Sequence, residues 1–114
     1  MAGDCIFCKI AKGEMPSDKV FENKDIIAFR DINPVAPTHI IVIPKEHYPT
    51  LNDIPAENLN IISQIYAVIK EIAKKEGVAE KGYRTIVNTN PESGQVVFHL
   101  HFHILGGRPM RGLG

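Results

Sequence analysis

Apolar residues recur along the chain in distinct rhythms, and each rhythm predicts an element. In residues 5–12, Ile6, Phe7 and Ile10 sit at helical spacing before Gly13, which predicts a short helix of one or two turns. After the turn at Met15, Pro16 and Ser17, residues 19–22 and 26–31 read as strands joined through Asn23, Lys24 and Asp25 in a hairpin. Pro34 and Pro37 stiffen the following loop. Residues 39–43 are almost continuously β-branched, so this strand is expected to be buried on both faces, with Pro44 ending it. Asp53 is placed to cap a helix with Pro55 in its first turn. Leu59, Ile62, Ile65 or Tyr66, Ile69, Ile72 and Ala73 then recur at three and four residues until Gly77, predicting a helix of about twenty residues.

The rhythm changes again in the last third. Residues 83–88 read as a strand, residues 89–95 as a polar loop holding Pro91 and Gly94, and residues 96–105 as a strand with strict alternation. In that strand Phe98, Leu100, Phe102 and Ile104 form one face, and His99, His101 and His103 form the other. The order helix, three strands, helix, two strands predicts an α+β domain spanning 1–114. Its five-stranded, largely antiparallel sheet would be covered by one long helix, with one short helix besides.

Three imidazoles in a row point to chemistry, because imidazole titrates nearest neutrality and can serve as nucleophile, proton carrier or metal ligand. A single ion cannot take all three. At about 3.3 Å per residue the outer two α-carbons are about 13 Å apart, against a zinc–nitrogen bond of about 2 Å.

Composition narrows the partners. Thirteen basic and thirteen acidic residues balance over 114 residues with no block of like charge. That pattern argues against a grip on a nucleic acid polymer or an anionic membrane, and leaves small ligands held by a local site. The first residues lack a basic segment followed by an apolar stretch, so the expected location is the cytoplasm. There Cys5 and Cys8 stay reduced, favouring a metal site or redox pair over a structural disulfide.

The run His99-Leu100-His101-Phe102-His103-Ile104-Leu105 resembles the defining motif of the histidine triad (HIT) hydrolases and transferases. The likeness continues through residues 29–39, Val42-Ile43-Pro44-Lys45, Val87-Asn88, Gly94-Gln95 and Leu105-Gly106-Gly107-Arg108, which resemble the Hint-like, purine nucleoside phosphoramidase branch. The resemblance implies a homodimer whose two sheets join, and a pocket for purine nucleoside monophosphate derivatives. It implies that His101 attacks the α-phosphorus to give a nucleotidyl-histidine that water hydrolyses, with His103 and His39 flanking the phosphate. Asn88 and the main-chain N–H groups around Gly94, Gln95 and Val96 would supply further donors, and Asp31 would accept from the ribose hydroxyls. Phe7, Ile10, Phe29 and Ile32 would clamp the base. Two departures from the family pattern stand out: Val96 replaces a small hydroxyl residue in the phosphate loop, and the segment after Arg108 is short.

The pair Cys5 and Cys8 alone is compatible with redox chemistry, zinc or two inert thiols. No strand precedes it, as a thioredoxin-like pair would require. His47 and His99, the histidines not needed around the phosphate, would complete four ligands for a structural zinc, an arrangement that some bacterial-type triad proteins resemble. Besides the phosphoramidase, three other activities fit the residues: a nucleotide-binding interaction module, a dinucleotide hydrolase or nucleotidyl transferase of the same superfamily, and a zinc-dependent interaction domain.

Overall fold

The computed structural model describes residues 4–114; the first three residues, part of the segment read for a targeting signal, lie outside the described residues. Five strands form one sheet in the order β1-β2-β3-β5-β4: β1 (Lys19–Glu22), β2 (Ile26–Arg30), β3 (Thr38–Pro44), β4 (Tyr83–Val87) and β5 (Phe102–Gly106). Every ladder is antiparallel, so the sheet is more uniform than expected. A register shift between Lys19 and Phe21 puts a bulge in edge strand β1.

Alternation along β2 and β3 supplies two cores. Ile26, Ala28, Ile40 and Val42 face helix α2 (Asn60–Lys75), whose Ile65, Val68, Ile69 and Ile72 pack on them with Leu100, Phe102 and Ile104. On the opposite face Ile27, Phe29, Ile41 and Ile43 pack against Phe7 and Ile10 of helix α1 (Ile6–Ala11). Strand β3 is therefore buried at every position, as its β-branched run predicts. Pro44 ends it from inside, as its last paired residue opposite Ile26. No described helix is long and apolar enough to cross a membrane.

Two expectations are corrected. Helix α2 has 16 residues rather than about twenty, because residues 51–58 form two short 3-10 turns. Asp53 does not cap α2; its carboxylate accepts from the N–H of Thr50 at 3.0 Å, closing a capping box one turn earlier. Ile54, ahead of Pro55, is extended, as the residue before proline prefers, and this separates the turns.

The second correction concerns the histidine strand, whose ladder starts at Phe102 rather than at residue 96. The Gln95 side chain holds the preceding segment off the sheet, donating to the carbonyls of Pro49 at 2.9 Å and Val97 at 3.1 Å and accepting from Asn90 N–H at 2.7 Å. Leu100 N–H then donates to Tyr48 C=O at 2.7 Å. The alternation survives without the ladder from Leu100 onward, but Phe98 stays 40% exposed and anchors nothing in the core.

Candidate active site and metal centre

Strand β5 sets His103 between Ile41 of β3 and Ile86 of β4, on the α1 side of the sheet. His39 enters from β3, and His101 lies just ahead of β5. His101 Nδ1 is 2.7 Å from the carbonyl oxygen of His99. A carbonyl only accepts, so Nδ1 carries the hydrogen and Nε2 keeps its lone pair. The Phe7 ring meets the His101 ring edge-on, with centroids 5.1 Å apart. Burial pushes His101 below the ordinary imidazole value, against the opposing effects of the His99 carbonyl and Asp31. A neutral ring with its outer lone pair free is a nucleophile at neutral pH.

His39 and His103 form a second unit. Val35 N–H donates to His39 Nδ1 at 3.1 Å, which leaves the hydrogen on His39 Nε2. That nitrogen lies 2.9 Å from His103 Nδ1 and 3.4 Å from an Asp31 carboxylate oxygen. His103 Nδ1 thus accepts, and its Nε2–H becomes a donor with no partner among the described residues. Burial lowers the His39 pKa while Asp31 opposes the shift. Burial, with the neighbouring His101 and His39 adding to it, holds His103 at about 4. Both rings are neutral near pH 7. Asp31, just past β2, also accepts from Asn33 N–H at 2.8 Å.

The remaining expected nucleotide contacts divide. Phe7, Ile10 and Phe29 come together in one buried cluster, with Phe7 and Phe29 edge-to-face at 5.5 Å, whereas Ile32 is 90% exposed in the loop beyond Asp31 and packs with none of them. Asn88 follows β4 directly and is half-buried. Gly94 ends a 3-10 turn at φ 97°, a conformation that favours glycine. The Gln95 side chain is fully engaged in holding its loop, so only its main chain remains for a ligand. Val96 is turned outward with Phe98 and Ile6, lining a cavity of about 430 Å³ that also touches Cys5 and His47. Another cavity, of about 390 Å³, lined by Lys24, Lys45, Tyr48 and Gln64, holds none of the histidines.

Cys5, Cys8, His47 and His99 converge beside this row, their ligand atoms all within 4.8 Å of one another. Cys5 is the N-cap of α1, its sulfur accepting from Cys8 N–H at 3.4 Å, so one helical turn presents both thiols. Cys5 Sγ is 3.3 Å from His99 Nδ1, Cys8 Sγ is 3.3 Å from His47 Nδ1 and 3.5 Å from His99 Nδ1, and the two Nδ1 atoms are 3.2 Å apart. A tetrahedral ion with bonds of about 2.1 Å to nitrogen and about 2.3 Å to sulfur holds its ligands roughly 3.3–3.8 Å apart. The donor set fits. His99 Nε2–H donates to Pro44 C=O at 2.8 Å, which turns the Nδ1 lone pair toward the sulfurs. Without a cation the site resists charge: burial and the adjacent Cys5 raise the Cys8 thiol to about 11, and burial lowers His99 to about 4.

Asp31, His39 and His103 also lie within metal-ligand reach of one another. Val35 N–H decides against an ion there, because it occupies His39 Nδ1 and leaves Nε2 as a proton donor. The main-chain groups of Val35 and Pro44 were not legible in the sequence, since every non-proline residue carries an N–H and every residue a C=O.

An antiparallel α+β sheet that sets a neutral imidazole beside two hydrogen-bonded histidines is the arrangement of the histidine triad class. The HIT domain model matches residues 12–110, and the chain belongs to that family. It is 50% identical over 110 residues to a purine nucleoside phosphoramidase of Escherichia coli (strain K12), covering 96% of this chain and 92% of that protein. A 14 kDa zinc-binding protein of Zea mays is 46% identical over 107 residues, covering 92% of this chain and 83% of that protein. A HIT family hydrolase from Legionella pneumophila Philadelphia 1 superposes with a TM-score of 0.92 at 49% identity, covering 95% of this chain and 96% of that one. A histidine triad protein from Clostridium difficile superposes at 0.95, with 51% identity and coverage of 97% and 96%. The chain is a hydrolase of the HIT family.

Proposed function

We propose that this hydrolase cleaves purine nucleoside 5′-phosphoramidates and related nucleoside monophosphate derivatives through a nucleotidyl-histidine at His101. The carrying observation is the bond from His101 Nδ1 to the His99 carbonyl, which fixes the tautomer and leaves Nε2 to attack the α-phosphorus. The new bond joins Nε2 to phosphorus while the phosphorus–nitrogen bond of the substrate breaks, and the amine leaves with a proton drawn from solvent water, which is returned to solvent when water attacks the intermediate. Water then cleaves the intermediate, releasing the nucleoside monophosphate and restoring neutral His101. His103 Nε2–H and main-chain donors near Gly94, Gln95 and Val96, with Asn88, stabilise charge on the phosphoryl oxygens. Asp31 binds the ribose hydroxyls, and Phe7, Ile10, Phe29 and Ile32 border the base.

Cys5, Cys8, His47 and His99 would hold a structural zinc, which supplies cross-linking of α1 to the histidine segment and no open position for water. Reduced thiols suit a cytoplasmic setting. Strand β4 is the free edge beside β5, and a second copy pairing there would join two five-stranded sheets in a homodimer. Light scattering at micromolar concentration tests that assembly, a monomer counting against it.

Adenosine 5′-phosphoramidate turnover by the wild type and by His101→Ala, with intact-mass detection of adenylylated protein, tests the reaction. Equal rates in the two proteins would remove His101 as the nucleophile. Nucleotide binding without turnover in the wild type would leave a binding module.

A further inference from the structure

The three residues that leave the histidine strand each meet a neighbouring segment closely. At Gly106 a Cβ would lie 2.9 Å from Val78 Cγ1, and at Gly107, with φ +94°, it would lie 2.8 Å from Pro37 Cβ. Gly107 thereby lets the strand exit press against the loop that leads into β3 and His39. Arg108 completes the contact: its Nη2 donates to Val35 C=O at 2.7 Å and its Nη1 to Pro109 C=O at 2.8 Å.

Val35 N–H occupies His39 Nδ1, while the Asp31 carboxylate 3.4 Å from His39 Nε2 favours the same tautomer. The Val35 side chain is 60% exposed, so apolar packing does not hold it. Within the loop the polar ties are local, with Asp31 N–H donating to His39 C=O at 3.0 Å and Asn33 N–H to Asp31 at 2.8 Å. Arg108 ties Val35 from outside the loop.

We propose that Arg108 is a positioning residue for the reaction: by holding Val35 C=O it keeps Val35 N–H aimed at His39 Nδ1, and so keeps the hydrogens of His39 and His103 on Nε2. The inference rests on the reading that His103 donates to the phosphate. The two neutral tautomers of imidazole are close enough in energy that one hydrogen bond selects between them. With Val35 released, a hydrogen on His39 Nδ1 would reverse the chain. His39 Nε2 would accept from His103 Nδ1, and His103 would then turn a bare lone pair toward the phosphoryl oxygens.

The test is nitrogen NMR of histidine tautomers in the full chain, alongside steady-state kinetics with adenosine 5′-phosphoramidate. The wild type is expected to hold His39 and His103 as Nε2–H. Arg108→Ala is expected to populate Nδ1–H at His39 and to lower kcat by about tenfold or more, with KM changed by less than about threefold. Arg108→Lys, which keeps a donor for Val35, is expected to restore most of both. If the alanine variant does not fold, Arg108→Met, which keeps the aliphatic stem, replaces it. His39 remaining entirely Nε2–H without the guanidinium, or Nδ1–H already in the wild type, overturns the proposal. A wild type that fails to turn over phosphoramidates would instead overturn the proposed function, and the tautomer comparison would still decide the role of Arg108.

Discussion

Two pairs of histidines lie on the same side of the sheet, and their ring nitrogens approach almost equally: 3.2 Å between His47 and His99, 2.9 Å between His39 and His103. One pair stands with two thiols in a set able to hold a metal, and the other forms a hydrogen-bond chain. The difference is behind the rings. A carbonyl, that of Pro44, takes the outer hydrogen of His99, so a lone pair faces inward beside two thiols. An amide, that of Val35, fills the outer lone pair of His39, so a hydrogen faces inward toward His103. Main-chain polarity, not the side chain, decides which imidazole turns a lone pair inward and which turns a hydrogen.

Each histidine pair can be disabled without the other. The largest effect is expected from His101→Ala, which should lower kcat by about a thousandfold or more while bound metal, measured by elemental analysis, stays at the wild-type ratio. Loss of metal in that variant would show that the two regions are not separable. Cys8→Ser should do the converse, removing the metal and lowering the melting temperature by about 10 °C or more, read by calorimetry with and without chelator. An unchanged melting curve would count against a structural ion.

A smaller effect separates the hydrogen-bond chain by pH. His103 binds its proton at about 4 in the folded chain, below the ordinary 6.5, because burial disfavours the cation. The unfolded chain therefore takes up protons first as pH falls. Stability from this group is complete above about pH 6.5 and is lost progressively as pH falls toward 4; with the ring partly exposed, the loss is no more than about 2 kcal/mol. Urea unfolding at pH 7.5 and 5 should show His103→Asn losing less than the wild type over the same interval. An equal loss would remove the assignment.

The smallest effect belongs to the surface. Lys19 and Lys45 each donate to Glu22 at 2.6 Å and hold its carboxyl at about 2. Glu22→Gln should leave turnover and metal content unchanged and lower the melting temperature slightly, a difference that disappears in about 1 M salt.

Much of this was legible in the residues. The β-branched run of β3 announces burial on both faces, and the spacing from Ile62 to Ala73 announces α2, because in each case the hydrophobic period is the cause of the element. The convergence of Cys5, Cys8, His47 and His99 was legible too, since all four donors are side chains. What escaped depends on main-chain partners remote in sequence. Asp53 reads as a helix cap until Thr50 claims it, and residues 96–101 read as a strand until Gln95 and Tyr48 draw them off the sheet. The exposure of Ile32 was not legible either, since the prolines of its loop announce stiffness but not the direction of one side chain.

The two edges of the sheet are built unequally. At β1 a bulge and the Lys19, Glu22 and Lys45 cluster discourage any further strand, whereas among the described residues β4 pairs with β5 without a bulge. An assembly made through β4 consumes its only welcoming edge in a single event, because a twofold pairing uses the same strand from both copies. Growth then stops at two. In such an assembly the bulge that looks like a local irregularity of β1 would act as a terminator of polymerisation, setting an upper limit on how far the sheet could propagate.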